Sequence, residues 1–223
     1  IKPSPAKILI NADGALSSMS KVLNKPPLRL LNKVQQPVEF GNAQVSGKGR
    51  VEILLKSNLT SDEIFYEVNG TAEKFSSEVI NRDFDISNGT LEFFANKEGL
   101  EIKGNAKVKN LPVQANFSGS IEKDEAKFLE IDFNLSDQAL ELLPAGIPDI
   151  EISGSAPAKL SLQFLESKKV KFELTSSLNG VELSYPPIGW VKEMKDEAEL
   201  RVSGSLGDEV VIEDIFLSSP DLA

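Results

Sequence analysis

The sequence predicts a mainly β protein: a long, curved, kinked antiparallel sheet that forms a groove or half-barrel, with a few short helices. Runs that alternate apolar with polar residues recur along most of the chain, as in strands with one buried and one solvated face. A glycine-centred tetrapeptide returns inside these runs, and glycine within a strand is typical of a bend or a bulge. Its five copies occupy residues 45–48, 102–105, 117–120, 152–155 and 202–205.

The first part of the chain is predicted to alternate short elements with turns. Residues 6–11 have a strand pattern that ends at the Asp-Gly pair at 13–14, which is typical of a turn. Apolar residues then fall at helical spacing from Leu16 to Leu31, and the Pro-Pro pair at 26–27 is predicted to break this stretch into two short helices, or one helix and a turn. The Asn-Gly pairs at 69–70 and 88–89 are strong hairpin signals, and we expect the chain to reverse at both.

The clearest strands lie in the middle of the chain. Apolar and polar residues alternate over 100–109, and 113–121 and 129–135 repeat the pattern, which predicts a sheet that is wet on one face only. Ser136 or Asp137 is predicted to cap a short helix that continues through Leu143. This helix and the proline loop after it, over 137–148, mark a weak possible subdivision. Further strands are predicted over 150–152, 158–164, 170–174, 181–185, 200–206 and 210–217.

Composition indicates a folded protein and argues against several functional classes. Of the 223 residues, 40% are apolar and 26% are charged, which is too apolar for a disordered chain. The formal net charge is −10 and the basic residues are scattered among acidic ones, so no nucleic-acid partner is expected. The chain has no cysteine and no histidine, which removes the Ser-His-Asp and Cys-His catalytic arrangements, the usual zinc sites and disulfides. We therefore expect no metal and no cofactor.

The ends of the sequence are unlike natural termini. The chain begins Ile1-Lys2-Pro3 and has no basic segment followed by an apolar one at its start, as a signal peptide would. No stretch approaches the roughly 18 consecutive apolar residues of a membrane span. We expect the sequence to be a fragment of a longer protein whose signal or anchor would lie outside it.

No motif in the sequence predicts catalysis. Glu130 and Asp132 share a strand face, but such carboxylate pairs are expected on a solvated strand and do not by themselves define a cleft. No phosphate-binding loop or calcium loop is present. Trp190, near the Pro-Pro pair at 186–187, is more typical of a local core anchor than of a stacking platform. We predict that the protein is not an enzyme.

The apolar strand face allows two interpretations. It is either the core of a closed sandwich, in which two sheets approach to about 10 Å, or the lining of an open groove that accepts acyl chains. The mixture of Gly and Ala with larger apolar residues, and the recurring glycines, are details that favour the groove. Periodicity alone leaves both interpretations open.

The sequence resembles the AsmA-like bacterial envelope proteins with the DUF3971 domain, the YhdP-like group. The resemblance spans most of the chain and consists of glycine-centred patterns. The segments that carry it are Lys25-Pro26-Pro27-Leu28, Val45-Ser46-Gly47-Lys48-Gly49-Arg50-Val51-Glu52-Ile53-Leu54-Leu55, Asn88-Gly89-Thr90-Leu91, Gly99-Leu100-Glu101-Ile102-Lys103-Gly104, Leu111-Pro112-Val113 and residues 183–192, which contain Ile188-Gly189-Trp190-Val191-Lys192.

This resemblance implies a periplasmic, repeating β-groove segment of a bridge-like lipid transfer protein, whose parent is anchored in the inner membrane through a segment outside this sequence. It implies that phospholipid acyl chains are shielded during transport from the inner to the outer membrane, without catalysis or a cofactor. The alternative function is a non-catalytic structural or assembly module of the cell envelope with a closed β core. The predicted groove lining is Leu100, Ile102, Val108, Val113, Phe117, Leu129, Ile131, Phe133, Leu160, Leu162, Val170 and Phe172.

Overall fold

The predicted mainly β class is confirmed by the structure, a computed structural model. It describes residues 4–23, 41–56, 63–78, 85–120, 125–142, 150–165, 169–207 and 209–219. The two α-helices found there are short: α1 Leu16–Leu23 and α2 Asp137–Leu140. The strands are β1 Ser4–Ala15, β2 Asn42–Leu55, β3 Phe65–Ser77, β4 Ile86–Asn96, β5 Leu100–Val108, β6 Leu111–Gly119, β7 Lys127–Leu135, β8 Glu151–Gly154, β9 Ala156–Phe164, β10 Val170–Ser176, β11 Val181–Tyr185, β12 Trp190–Lys192, β13 Glu199–Leu206 and β14 Val210–Ser218.

Eleven of these strands form one large sheet, in the order β1-β2-β3-β4-β5-β6-β7-β9-β10-β13-β14. The other three form a small sheet in the order β12-β11-β8, and a short 3-10 helix at Pro186–Ile188 joins β11 to β12. The chain divides into two compact units. Unit 1 is residues 1–110 and 118–122, and unit 2 is residues 111–117 and 123–223.

In unit 1, each strand from β2 to β5 pairs antiparallel with the strand before it. Directly opposed residues share a face of the sheet, so the pairing gives rows of side chains across it. One such row is Ala12, Gly47, Gly70, Phe93 and Ile102. Helix α1 follows β1 directly and lies against β1 and β2.

The two predicted Asn-Gly hairpins are absent, because both pairs lie inside strands. Asn69 and Gly70 are in the middle of β3, where Gly70 is opposite Gly47. A Cβ at Gly70 would lie 2.7 Å from the Phe93 ring and 2.8 Å from the Gly47 Cα, so the glycine provides space for the aromatic ring. Asn88 has a φ of 51° within a register irregularity of β4, so this pair forms a bulge instead of a turn.

Two further sequence predictions in this region have different outcomes. The Asp-Gly pair at 13–14 is not a turn, since β1 continues through it and pairs with β2 as far as Ala15. Of the predicted helical stretch, the part before the Pro-Pro pair is confirmed as α1, and Leu28 and Leu31 lie outside the described residues.

Unit 2 contains β6, β7, β9, β10, β13 and β14 of the large sheet, together with the small sheet and α2. The predicted strands over 129–135, 158–164, 170–174 and 210–217 are confirmed to within two residues at each end, as is the strand predicted over 100–109 in unit 1. Ser136 occupies the N-cap position of α2, but its side chain makes no capping hydrogen bond, and the helix ends at Leu140, before the predicted Leu143. Ile121 and Leu143 themselves lie outside the described residues.

The recurring glycines do not share one position. Gly47 is opposite Gly70, and Gly104 is opposite Leu91 in the neighbouring row. Gly154 lies in the small sheet with a φ of 86°. Gly204 lies at the register irregularity between β13 and β14, where a Cβ would lie 2.9 Å from the Phe172 ring. The repeated tetrapeptide therefore has different structural roles at different positions. At two of them, Gly47 and Gly204, the glycine faces an aromatic ring.

Candidate functional site: an apolar face covered at one end

The apolar face of unit 2 is built from rows of inward-facing residues on β7, β9, β10, β13 and β14. The register gives three consecutive rows that are mainly apolar. They are Leu129-Leu162-Phe172-Gly204-Ile212, Ile131-Leu160-Leu174-Val202-Ile215 and Phe133-Ala158-Ser176-Leu200-Leu217. Strand β6 adds Val113, Ala115 and Phe117 at alternating half-buried positions.

One end of this face is covered. The small sheet contributes Val181 and Leu183, and α2 contributes Ala139, to a buried cluster with residues of the large sheet such as Leu135 and Leu174. Leu135 is only 2% exposed. This end is therefore a two-layer core in which side chains are removed from water on both sides.

The opposite end of the face lacks such a covering layer. Leu129, Leu162 and Val170 are half-buried and none of them joins the buried cluster. On the edge strand β14, Ile212 continues the row of Leu129 and Leu162 and is 39% exposed. Among the described residues, no element packs over these positions as the small sheet does over the other end. The face thus passes from a closed core to an open apolar surface within one unit.

All twelve predicted lining residues are half-buried at alternating strand positions. The structure places nine of them on the apolar face of unit 2. Four of these nine, Val113, Phe133, Leu160 and Phe172, pack against the buried cluster at the covered end. The other three, Leu100, Ile102 and Val108, are on one face of β5 in unit 1. Whether lipid contacts any of these residues stays a prediction.

Sequence reasoning missed several residues of the open end. Lys127, Phe164, Val170, Leu206 and Val210 form the outermost row, and only Val170 was predicted. Residues two positions apart on a strand face the same side, so the parity of Leu129 already assigned Lys127 to the apolar face. A charged residue at the start of a strand gives no apolar signal, which explains the omission.

The opposite face of unit 2 is polar and solvated at β7 and β9. The Lys159 Nζ lies 3.7 Å from a Glu130 carboxylate oxygen and 3.9 Å from one of Asp132. These exposed ion pairs contribute little to stability, and both carboxylates are solvated side chains on the polar face of the strand. Phe128 is an exception on this face, because it is apolar and 46% exposed.

A fully buried lysine stabilises the small sheet. The Lys192 Nζ donates hydrogen bonds to the carbonyl oxygens of Leu178 at 2.7 Å, Val181 at 2.8 Å and Glu193 at 3.1 Å. Burial lowers the pKa of Lys192, and the nearby Asp196 carboxylate opposes that shift. The contacts of Lys192 join β12 to the segment before β11. Lys192 therefore has a structural role in the cover, which is the layer formed by the small sheet and α2 over one end of the apolar face.

The described residues offer no metal centre, because no three His, Cys, Asp or Glu side chains cluster there. Within the same part of the chain, neither helix is long and apolar enough to cross a membrane. The chemistry available at the open end is therefore apolar contact, with one lysine at its margin.

Comparison with known proteins found no match to any family model, curated protein or solved structure.

Proposed function

We propose that unit 2 binds lipid acyl chains at the open end of its apolar face. The observation that carries this proposal is the change in burial along the face. Leu135 and Leu174 are covered by a second layer, whereas Leu129, Leu162 and Phe164 continue the same apolar face in the neighbouring rows without one. Exposed apolar patches of this kind are typical of binding surfaces.

The side chains of these rows suit a flexible hydrocarbon. Leu, Ile and Phe offer apolar contact without directional bonds, and each buried methylene gains about 0.8 kcal/mol relative to water. An acyl chain of a dozen carbons would therefore bind firmly while keeping the freedom to slide along the face.

The resemblance to the AsmA-like envelope proteins extends the proposal to a wider role. On that basis the chain is a periplasmic segment that shields phospholipid acyl chains during transfer from the inner to the outer membrane. Its parent protein would be anchored in the inner membrane outside this sequence. In this proposal the protein catalyses no reaction.

The proposal is tested by a pair of substitutions on β7. Ile131→Asp places a charge on the apolar face, whereas Phe128→Asp makes the same type of change on the opposite face of the same strand. We expect Ile131→Asp to abolish crosslinking to a photoactivatable phospholipid and Phe128→Asp to leave it unchanged. Circular dichroism of both variants checks that the fold is retained.

Native mass spectrometry of the purified chain provides an independent readout, in which we expect a co-purified phospholipid. Equal crosslinking of the wild-type chain and both variants, with no bound lipid, would contradict acyl-chain binding.

The second candidate function is an assembly module, favoured by the edge strand β14. Its exposed apolar residues point to both faces: Ile215 on the apolar face, and Val211 (50% exposed) and Phe216 (47% exposed) on the other. Natural edge strands usually carry features that prevent further pairing, so such an edge favours addition of another strand. Light scattering tests this candidate: it predicts an oligomer that Phe216→Lys disrupts, whereas acyl-chain binding predicts no effect of Phe216→Lys on lipid binding.

A further inference from the structure

Lys127 is an exception on the apolar face of unit 2. It is the first residue of β7, it has the same parity as Leu129, and it is half-buried. Its direct neighbour across the sheet is Phe164, which is opposite Val170. On the apolar face of the strands that unit 2 contributes to the large sheet, Lys127 is the only charged residue among the described positions.

The ion pairs on the two faces of β7 differ. On the solvated face, Lys159 lies near two carboxylates, Glu130 and Asp132. Lys127 forms no ion pair with any residue in the described part of the chain. A lysine on an apolar surface lays its aliphatic stem along that surface and keeps its ammonium group at the water boundary. Lys127 thus combines an apolar contact with a cation that is available to an anion.

The location of Lys127 relative to the cover gives a direction. Lys127 is at the open end of β7, and Leu135 is at the covered end, eight residues away. At about 3.3 Å per residue, the two positions are separated by about 26 Å along the strand. The two ends of this face therefore differ: one is closed by the core and the other carries an ammonium group.

We propose that the ligand is an anionic amphiphile whose carboxylate or phosphate head group pairs with Lys127 while its hydrocarbon tail points toward the covered end. This inference rests on the proposed acyl-chain binding and adds the charge and the orientation of the ligand. A neutral amphiphile would gain the apolar contacts but leave the ammonium group without an anion.

The charge requirement is tested with three ligands that share a twelve-carbon chain: laurate, dodecyl phosphate and 1-dodecanol. Isothermal titration calorimetry is carried out on the 223-residue chain and on Lys127→Met, Lys127→Arg and Lys159→Met. Lys159→Met is the matched control, because it removes a lysine from the opposite face of the adjacent strand. Inorganic phosphate alone is titrated as a fourth ligand, to separate a lipid head group from a free anion.

We expect Lys127→Met to raise the Kd of laurate and dodecyl phosphate about threefold to fivefold, as for a partly exposed ion pair, and to leave that of 1-dodecanol unchanged. Lys127→Arg should retain the wild-type affinities because it keeps the cation, and Lys159→Met should have no effect. Inorganic phosphate should not bind measurably without the acyl chain.

The outcomes separate the two proposals. If 1-dodecanol and both anionic ligands fail to bind the wild-type chain, acyl-chain binding is wrong. If all three bind and Lys127→Met weakens none of them, or weakens all of them equally, only the head-group assignment is wrong. If inorganic phosphate binds as tightly as dodecyl phosphate, Lys127 belongs to an anion site that is unrelated to lipid.

The orientation has its own readout, because the chain contains one tryptophan and Trp190 packs against the cluster at the covered end. A bromine atom quenches tryptophan fluorescence at short range. We expect 16-bromohexadecanoate, whose longer chain approaches the covered end, to quench Trp190 more strongly than 2-bromohexadecanoate, and equal quenching or the reverse order would overturn the proposed orientation.

Discussion

The apolar faces of the two units are built from different side chains. In unit 1, the row through Gly47 and Gly70 is small, and the Phe93 ring lies against its glycines. In unit 2, the row through Leu160 and Leu174 consists of branched aliphatic residues, part of which a second layer covers. The comparison shows that the same alternating pattern supports two kinds of packing: a ring filling space over glycine, and a conventional core that continues into an open surface.

The largest effect is expected at the covered end of unit 2. Leu174→Ala should lower the free energy of unfolding by about 3 kcal/mol, because it opens a cavity in a two-layer core. Leu162→Ala, on the neighbouring strand at the open end, should cost about 1 kcal/mol, because solvent can fill the space. Urea denaturation of both variants measures the difference. Equal losses would show that the open end is as tightly packed as the core.

A smaller effect is expected at the glycines of unit 1. Gly70→Ala should cost about 2 kcal/mol, because its Cβ would overlap the Ser46 carbonyl oxygen and the Phe93 ring. Gly49→Ala is the control: its Cβ would meet its nearest neighbour, a Val68 methyl group, at 3.5 Å, which is ordinary contact. We expect Gly49→Ala to change stability by no more than about 0.5 kcal/mol. Thermal unfolding of the two variants tests this order, and a tolerant Gly70 would contradict the role assigned to it.

The smallest effect is expected in the cover of unit 2. Lys192→Met should lower the free energy of unfolding by about 1–2 kcal/mol at neutral pH, because the carbonyl groups of Leu178 and Val181 lose a donor. The loss of a buried charge offsets part of this cost. Urea denaturation at pH 7 measures it, and an unchanged midpoint would indicate that these carbonyl groups find other partners.

Lys192 also predicts a pH dependence. Its folded-state pKa is lowered by burial, so between that pKa and the unfolded value near 10.5 the unfolded chain binds more protons. Stability contributed by this residue should therefore rise as pH increases through that window. The difference between wild-type and Lys192→Met stability, measured across alkaline pH, should grow with pH. A constant difference would mean that Lys192 titrates normally.

Much of the fold could be predicted from local alternation. Strands such as β5 and β7 were identified because their apolar residues fall at every second position, and pairing does not change that parity. The Asn-Gly pair at 69–70 predicts a turn, but in the structure the lack of a side chain at Gly70 allows close contact with the neighbouring strands. A glycine is required at position 70 because of its close contacts with Gly47 on β2, more than twenty residues away, and with Phe93 on β4. A single sequence does not reveal such a pairing.

The candidate site was predictable only in part, for related reasons. Alternation identified Leu129, Ile131 and Leu162 as residues of one face, and the structure places them on neighbouring strands. Which part of that face is covered depends on the small sheet, whose strands β8, β11 and β12 are separated in sequence. Lys127 was missed because its significance comes from its apolar neighbours across the sheet.

The strand order has a consequence for how the chain folds. In unit 1, the pairings from β2 to β5 join consecutive strands that are separated by no more than nine residues, so each of these additions closes only a short loop. In unit 2, β8 pairs with β11, which follows it by more than twenty-five residues, so the small sheet forms only after this longer loop has closed. Since low contact order favours rapid folding, we expect the hairpins to form first and the cover to form last. During folding, the apolar face would then be exposed along its full length before the small sheet covers one end.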